Sequence, residues 1–321
     1  MTRMLHFLFD RDKRPQRGLL AVEWVIMGYL VLTLLLMAFL QTKLVNPESM
    51  LWGRFRIVVM TLAMWAVYRM LPCRLTLLLR IVLQLALLSW WYPDTYELNR
   101  LLPNLDPTFA SLEQRLFGGQ PALWFAQRVP YAWFSELMHL GYAAYYPMIV
   151  SVIIFYFFRR YDAFLRTSFV ILAAFFVYYV IFVLVPVTGP QYYYLAAGTE
   201  QIAAGVFPSV GDYFCHHQQA LPIPGWDGGV FYHLVESAHA AGERPTAAFP
   251  SSHVGITTIL MLLALESRCR RLVFALLPLF VLMCFATVYI QAHYAVDVLG
   301  GWVSGALFYF ILRTLDLRIT P

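Results

Sequence analysis

Two polar clusters interrupt an otherwise apolar chain: "FPSSHVG" at 249–255 and "AHYAVD" at 292–297. Each lies where a water-facing loop meets an apolar run. Pro250 followed by Ser251 and Ser252 reads as a helix start with a serine at the N-cap, so free backbone N–H groups and the positive end of the helix dipole point outward. Such an end holds a phosphate without a metal or a lysine. His253 is the first side chain there that can exchange a proton. His293 follows 293 − 253 = 40 residues later, and two membrane crossings of about 20 residues each return it to the same face. Asp297 is four residues beyond His293, a spacing that joins two side chains on a helix. A carboxylate against one imidazole nitrogen fixes the tautomer and frees the other nitrogen to attack. In this reading His293 attacks phosphorus. His253, across the phosphate, protonates the departing oxygen and later deprotonates the acceptor.

The elements that must position these groups are membrane helices. Of 321 residues, 60% are hydrophobic and only 13% charged, too apolar for an ordinary soluble domain. The pattern predicts an all-α, polytopic integral membrane helical bundle of about eight spans, near 19–41, 56–71, 75–92, 136–158, 167–187, 251–266, 272–290 and 297–313. The first run follows "RDKRPQRG" without a small-residue cleavage site and reads as a retained anchor. Glu23 and Arg80 fall inside the first and third runs, where they are expected to snorkel to the headgroups. Basic residues gather in the N-terminal tail, around Arg69 and Arg74, in "RRYDAFLR", in "SRCRR" and in "LRTLDLR" at the end. In an eight-span model these share one side, which the positive-inside rule makes cytoplasmic, with both termini inside. The net charge of +5 is then a topology signal rather than a nucleic-acid footprint.

Two outer segments are long. The first, about 93–135, mixes Leu, Phe and Trp with a few charges and is broken by Gly118-Gly119 and Pro121. It suits an interfacial helix with its aromatic face toward lipid, or a packed cap over the bundle. The second, about 187–249, is rich in Gly, Pro, Tyr and His, and reads as the lid and walls of a site. Arg244 lies close enough to the serines to be a phosphate ligand, and Gln191, Tyr192 and Tyr294 are further candidates for the phosphate and its substrate. "CHHQQ" with His233 and His239 matches no standard zinc spacing, so neither metal nor cofactor is expected. The single outer-loop cysteine, Cys215, allows no disulfide framework there. Gly301 and Gly305 read as a close-packing face behind Asp297.

"PSSH" followed by "HYAVD" resembles the signature of the type 2 phosphatidic acid phosphatase (lipid phosphate phosphatase) superfamily. There, a PSGH-type motif and an HxxxD motif form a metal-free site with a phosphohistidine intermediate. His253, His293 and Asp297 match these motifs residue by residue, and Ser251 and Ser252 occupy the phosphate-binding serine stretch. The resemblance implies a catalytic transmembrane domain with a six-helix core, assigned to 75–321, behind an N-terminal tail and two peripheral helices at 1–74. Two departures stand out. Where that superfamily carries an arginine six residues before the second histidine, this chain has Ala286-Thr287. Where it carries KxxxxxxRP, this chain reads "VPVTGPQYYY". A phosphomonoester is close to a dianion at neutral pH and a phosphodiester carries one charge, so fewer cations suit a diester. That pattern is similar to the inositolphosphorylceramide synthase branch, as is "LFGGQP…SELMHLGYAAYY".

The expected function is therefore a membrane lipid phosphotransferase that moves a phosphorylated headgroup, with phosphoinositol the candidate, from a glycerophospholipid to a ceramide-like or other lipid acceptor. Membrane lipids would be its partners, as donor and acceptor. The alternative is a lipid phosphate phosphatase acting on phosphatidic acid, a polyprenyl diphosphate or a related monoester. A lipid-binding transporter or scaffold is the rival of another class. Short loops and compact length point to a bacterial inner membrane, with the site on the periplasmic face.

Overall fold

A computed structural model describes residues 2–12 and 15–315. Parts of two basic segments, at 13–14 and 316–318, lie outside the described residues. The chain is all-α, with sixteen helices among the described residues. In order they are α1 Thr2–Leu8, α2 Ala21–Leu40, α3 Pro47–Met70, α4 Arg74–Asn99, α5 Asp106–Phe117, α6 Pro121–Arg128, α7 Ala132–Ala143 and α8 Tyr145–Arg159. There follow α9 Tyr161–Leu184, α10 Pro190–Ala197, α11 Thr199–Ala203, α12 Tyr213–His216, α13 Val230–Gly242, α14 Ser252–Glu266, α15 Arg270–Tyr289 and α16 Ala295–Thr314.

Six of these (α2, α3, α4, α9, α15 and α16) are long and apolar enough to cross a membrane, so the chain is an integral multi-pass membrane protein. The run expected at 136–158 is two helices, α7 and α8, bent by 46° at Ala144. Pro147 accounts for the break: it has no N–H to offer the carbonyl of Ala143, and its ring crowds that carbonyl. Helix α14 has 15 residues, about 22 Å at 1.5 Å per residue, shorter than the roughly 30 Å hydrocarbon core. Its N-terminal turn carries His253.

Glu23 and Arg80 do not snorkel. Both are fully buried, and they pair with each other, Arg80 Nε donating to Glu23 Oε1 at 2.9 Å while the second guanidinium nitrogen meets Oε2. Between α3 and α4, Arg54 donates to Asp94 at 2.7 Å and also reaches the α2 hydroxyl of Thr33. Two α-helices that each carry one charge of opposite sign satisfy both inside the bundle, because an unpaired charge in hydrocarbon costs far more.

The basic segments collect at one end. Arg74 pairs with Asp10 at 2.8 Å and lies over the rings of Phe7 and Tyr161. Arg160 donates to the carbonyl of Ser267, and Arg166 to that of Arg313. Because α14 starts at the serines and finishes beside Ser267, the serine and histidine cluster occupies the opposite end.

Packing of α14 on α16 depends on glycine. A Cβ on Gly301 would stand 2.7 Å from the carbonyl oxygen of Ser251 and 2.9 Å from Cβ of Val254, and one on Gly305 would run into Gly255. The expected close-packing face is therefore present, and it brings the start of α14 against the first turns of α16. Helices α5 and α6 form a cap over this end, separated by Gly118 in the left-handed region at φ 68°. The cap is also amphipathic: Leu112, Leu116 and Phe117 are exposed, whereas Asp106 and Glu113 are buried.

Candidate active site

The two histidines predicted to meet do meet. His253 Nδ1 lies 3.3 Å from His293 Nε2, although 40 residues and two helices separate them in sequence. His253 stands in the first turn of α14, its ring against Tyr142 and Tyr145 with centroids 4.7 and 4.5 Å away. His293 occupies the loop before α16 and is 3% exposed. Its backbone N–H is held by the carbonyl of Thr287 at 3.0 Å.

The orienting partner differs from expectation. His293 Nδ1 is 2.8 Å from the carbonyl oxygen of Ala248 and 3.5 Å from Asp297 Oδ2. The carbonyl can only accept, so Nδ1 carries the hydrogen and Nε2 presents a lone pair toward His253. Asp297 spends Oδ2 on the N–H of Tyr294 at 2.8 Å, which caps its own helix, and keeps Oδ1 unpaired and buried behind the imidazole. The Ala248 carbonyl, rather than Asp297, therefore fixes the tautomer. Burial pushes the His293 imidazole down to about 4, against the pull of the Ala248 carbonyl and of Glu243, so the ring is neutral at pH 7.

Ser251 and Ser252 divide their tasks. Ser251 is fully buried, accepts the Val254 N–H at 3.3 Å as the N-cap and donates its own N–H to the carbonyl of Asp297 at 3.1 Å. Its hydroxyl accepts that N–H and keeps its own O–H to donate. Ser252, partly exposed, and the N–H groups of Ser252 and His253, which have no intrahelical acceptor, are the ones left to face an anion.

The remaining candidates scatter. Gln191 is brought to the site's edge: its N–H bonds the carbonyl of Gln291 at 2.9 Å, and its side chain donates to Glu243 at 2.9 Å. Tyr192 is buried near Glu243 and Arg244, whose charges act on it from opposite directions. Arg244 donates to the carbonyl of Glu243 at 3.0 Å. Tyr294 faces the other way. It is fully buried, with its hydroxyl 3.0 Å from Asp106, so its expected place among the substrate ligands is corrected to a support behind the histidine loop. The buried Thr287, where a phosphate-binding arginine would be expected, turns its hydroxyl to the carbonyl of Cys284. His233 and His239 pair with Glu236 and Glu243 respectively.

Three carboxylates escaped the sequence reading. Asp106, at the start of α5, accepts the N–H groups of Thr188 and Gly189 at 2.7 and 2.9 Å, the Thr188 hydroxyl and the Tyr294 hydroxyl. Burial pushes its carboxyl up, against the donors on Thr188, Asn104 and Gly189. Glu113, two turns along α5, accepts the N–H groups of Ala295 and Val296 at 2.8 and 3.0 Å. A side chain from another helix thereby caps α16, and burial pushes it up to about 7. Their spacing of seven places both on one face of α5, the one trace of this role in the sequence. Glu243, the third, gave no signal beyond its neighbour Arg244.

A family model described as the PAP2 superfamily matches residues 107–311. The match starts in α5 and includes both histidines, Asp297 and the capping carboxylate Glu113.

The chain belongs to the PAP2 superfamily. Membership makes it a phosphatase- or phosphotransferase-type lipid enzyme, a phosphoesterase in its chemistry. Helices α1–α4, with their buried ion pairs, precede the part that matches the PAP2 superfamily. No curated protein and no solved structure matches the chain.

Proposed function

We propose that this PAP2 superfamily member is a lipid phosphotransferase, similar to the inositolphosphorylceramide synthase branch, in which His293 carries the phosphoryl group. The observation that supports it most is the 3.3 Å approach of His253 Nδ1 to His293 Nε2, with His293 Nδ1 tied back to Ala248. One ring nitrogen is held, and the other is aimed at a proton donor. A substrate phosphate takes the place of that inter-histidine contact, with its oxygens against Ser252 and the free N–H groups at the start of α14. The entering anion favours the charged form of His253.

In the first half, His293 Nε2 forms a bond to phosphorus as the ester bond to diacylglycerol breaks, and His253 gives its proton to the departing oxygen. In the second, His253 takes the proton from the acceptor hydroxyl, whose oxygen bonds phosphorus as the P–N bond breaks. Asp297, buried with Oδ1 free, stabilises the positive charge that develops on the His293 ring. Donor and acceptor are both membrane lipids, entering sideways from the bilayer. In our reading the site faces the periplasm of a bacterial inner membrane, with the basic end and both termini in the cytoplasm.

The test is incubation of purified enzyme with headgroup-labelled phosphatidylinositol, with and without ceramide, followed by lipid chromatography. The expected result is label that moves to a new lipid only when ceramide is present. Fast release of inorganic phosphate from phosphatidic acid, with no ceramide-dependent product, would overturn transfer in favour of hydrolysis.

A further inference from the structure

We propose that Glu243 is a specificity-determining residue, a fixed negative charge at the phosphate site that disfavours dianionic phosphomonoesters relative to singly charged phosphodiesters. The inference rests on the reading of the His253–His293 pair as a phosphoryl site.

Glu243 ends α13 in extended backbone and projects its side chain inward, 21% exposed. Two groups from separate parts of the chain donate to it, and a third lies beside it. The Tyr142 hydroxyl donates to Oε1 at 3.1 Å, Gln191 Nε2 donates to Oε2 at 2.9 Å, and His239 Nε2 stands 3.3 Å from Oε1. Two of these holders touch the histidine pair or its loop. The Tyr142 ring lies on His253, and the Gln191 backbone is bonded to Gln291, two residues before His293. The field of Glu243 accordingly reaches His293. No lysine or arginine side chain pairs with this carboxylate among the described residues; Arg244, next along the chain, bonds the Glu243 backbone instead.

A carboxylate beside an anion site is costly unless it discriminates. At an effective dielectric near 20, a like charge on the order of 10 Å away lowers affinity roughly tenfold, so a second phosphate charge is disfavoured by about that factor. A diester pays the first charge's cost only. Gln191 is the residue that locks the carboxylate in place.

The test compares kcat/KM for phosphatidic acid and for phosphatidylinositol on the same preparation, so a change in folded fraction cancels from the ratio. In E243Q the monoester-to-diester ratio is expected to rise by at least about tenfold, and in E243D, which keeps the charge, to stay within about threefold of wild type. A ratio in E243Q within twofold of wild type overturns the proposal, whichever substrate the wild type prefers. A wild type that turns over phosphatidic acid faster than phosphatidylinositol counts instead against the transfer reading, and leaves the effect of Glu243 to be read from the ratio alone.

Discussion

Buried charge is handled in two different ways at the two sides of this molecule. In α2–α4, Glu23 meets Arg80 and Asp94 meets Arg54, cation on carboxylate. Around the candidate site, Asp106 and Glu113 are satisfied by N–H groups and hydroxyls and Asp297 is half satisfied by the Tyr294 N–H, with no lysine or arginine in contact among the described residues. The first arrangement neutralises charge and fastens helices in lipid. The second keeps carboxylates where they orient a loop and a helix start, and leaves a cation-poor pocket for a lipid anion. Cation-paired charges are structural here, and dipole-paired ones shape the site.

The largest effect should come from breaking the first kind. Replacing Arg80 by methionine strands Glu23 in the bundle and should cost about 3–5 kcal/mol in thermal unfolding in detergent. The double replacement E23M/R80M should regain most of it, with turnover per folded molecule close to wild type. A double variant as unstable as R80M would show that shape, rather than charge, matters there.

Next comes pH. The folded His293 refuses a proton down to about pH 4, whereas the unfolded chain accepts one near 6.5. Its contribution to stability is therefore full above 6.5 and is lost as pH falls toward 4, up to about 3 kcal/mol. Glu113 works in the opposite sense, because its folded value of about 7 lies above the ordinary 4.5; its contribution is full below 4.5 and is lost as pH rises toward 7. The stability difference between wild type and H293Q isolates the first and should shrink from pH 6.5 to 4. A difference that is flat with pH would mean that His293 is solvated.

The smallest stability effect is expected at the dipole-paired carboxylates. E113A leaves the N–H groups of Ala295 and Val296 without their acceptor, a loss of about 1–3 kcal/mol. Because it frees the start of α16, turnover should fall about a hundredfold, out of proportion to stability. Equal loss in E113A and in a variant at the ion pairs would erase the distinction between the two regions.

Much of the site was readable in sequence, because its core is carried by two short motifs whose separation equals two membrane crossings. The meeting of His253 with His293 could be had by counting alone, whereas the Ala248 carbonyl that holds His293 Nδ1 could not. Which of the two adjacent serines caps α14 was not legible, because either spacing suits a helix start; the structure gives the N-cap to Ser251. Glu23 and Arg80 looked like snorkelling residues, since nothing local shows that two helices 57 residues apart present opposite charges at one depth. Asp106, Glu113 and Glu243 meet partners far away in sequence, Asp106 and Glu113 through backbone N–H groups and Glu243 through the side chains of Tyr142 and Gln191. Such contacts leave no periodic mark beyond the seven-residue spacing on α5. Gly301 and Gly305 were legible because close helix packing demands a recurring small residue.

The most direct measurement is a rapid chemical quench with donor lipid labelled in its phosphate, followed by mapping of the protein-bound, acid-labile label. The account predicts a phosphoryl adduct on His293, formed at the rate of the first half-reaction and chased by the acceptor lipid. Headgroup transfer without label on His293, or label carried by His253 in its place, would contradict it.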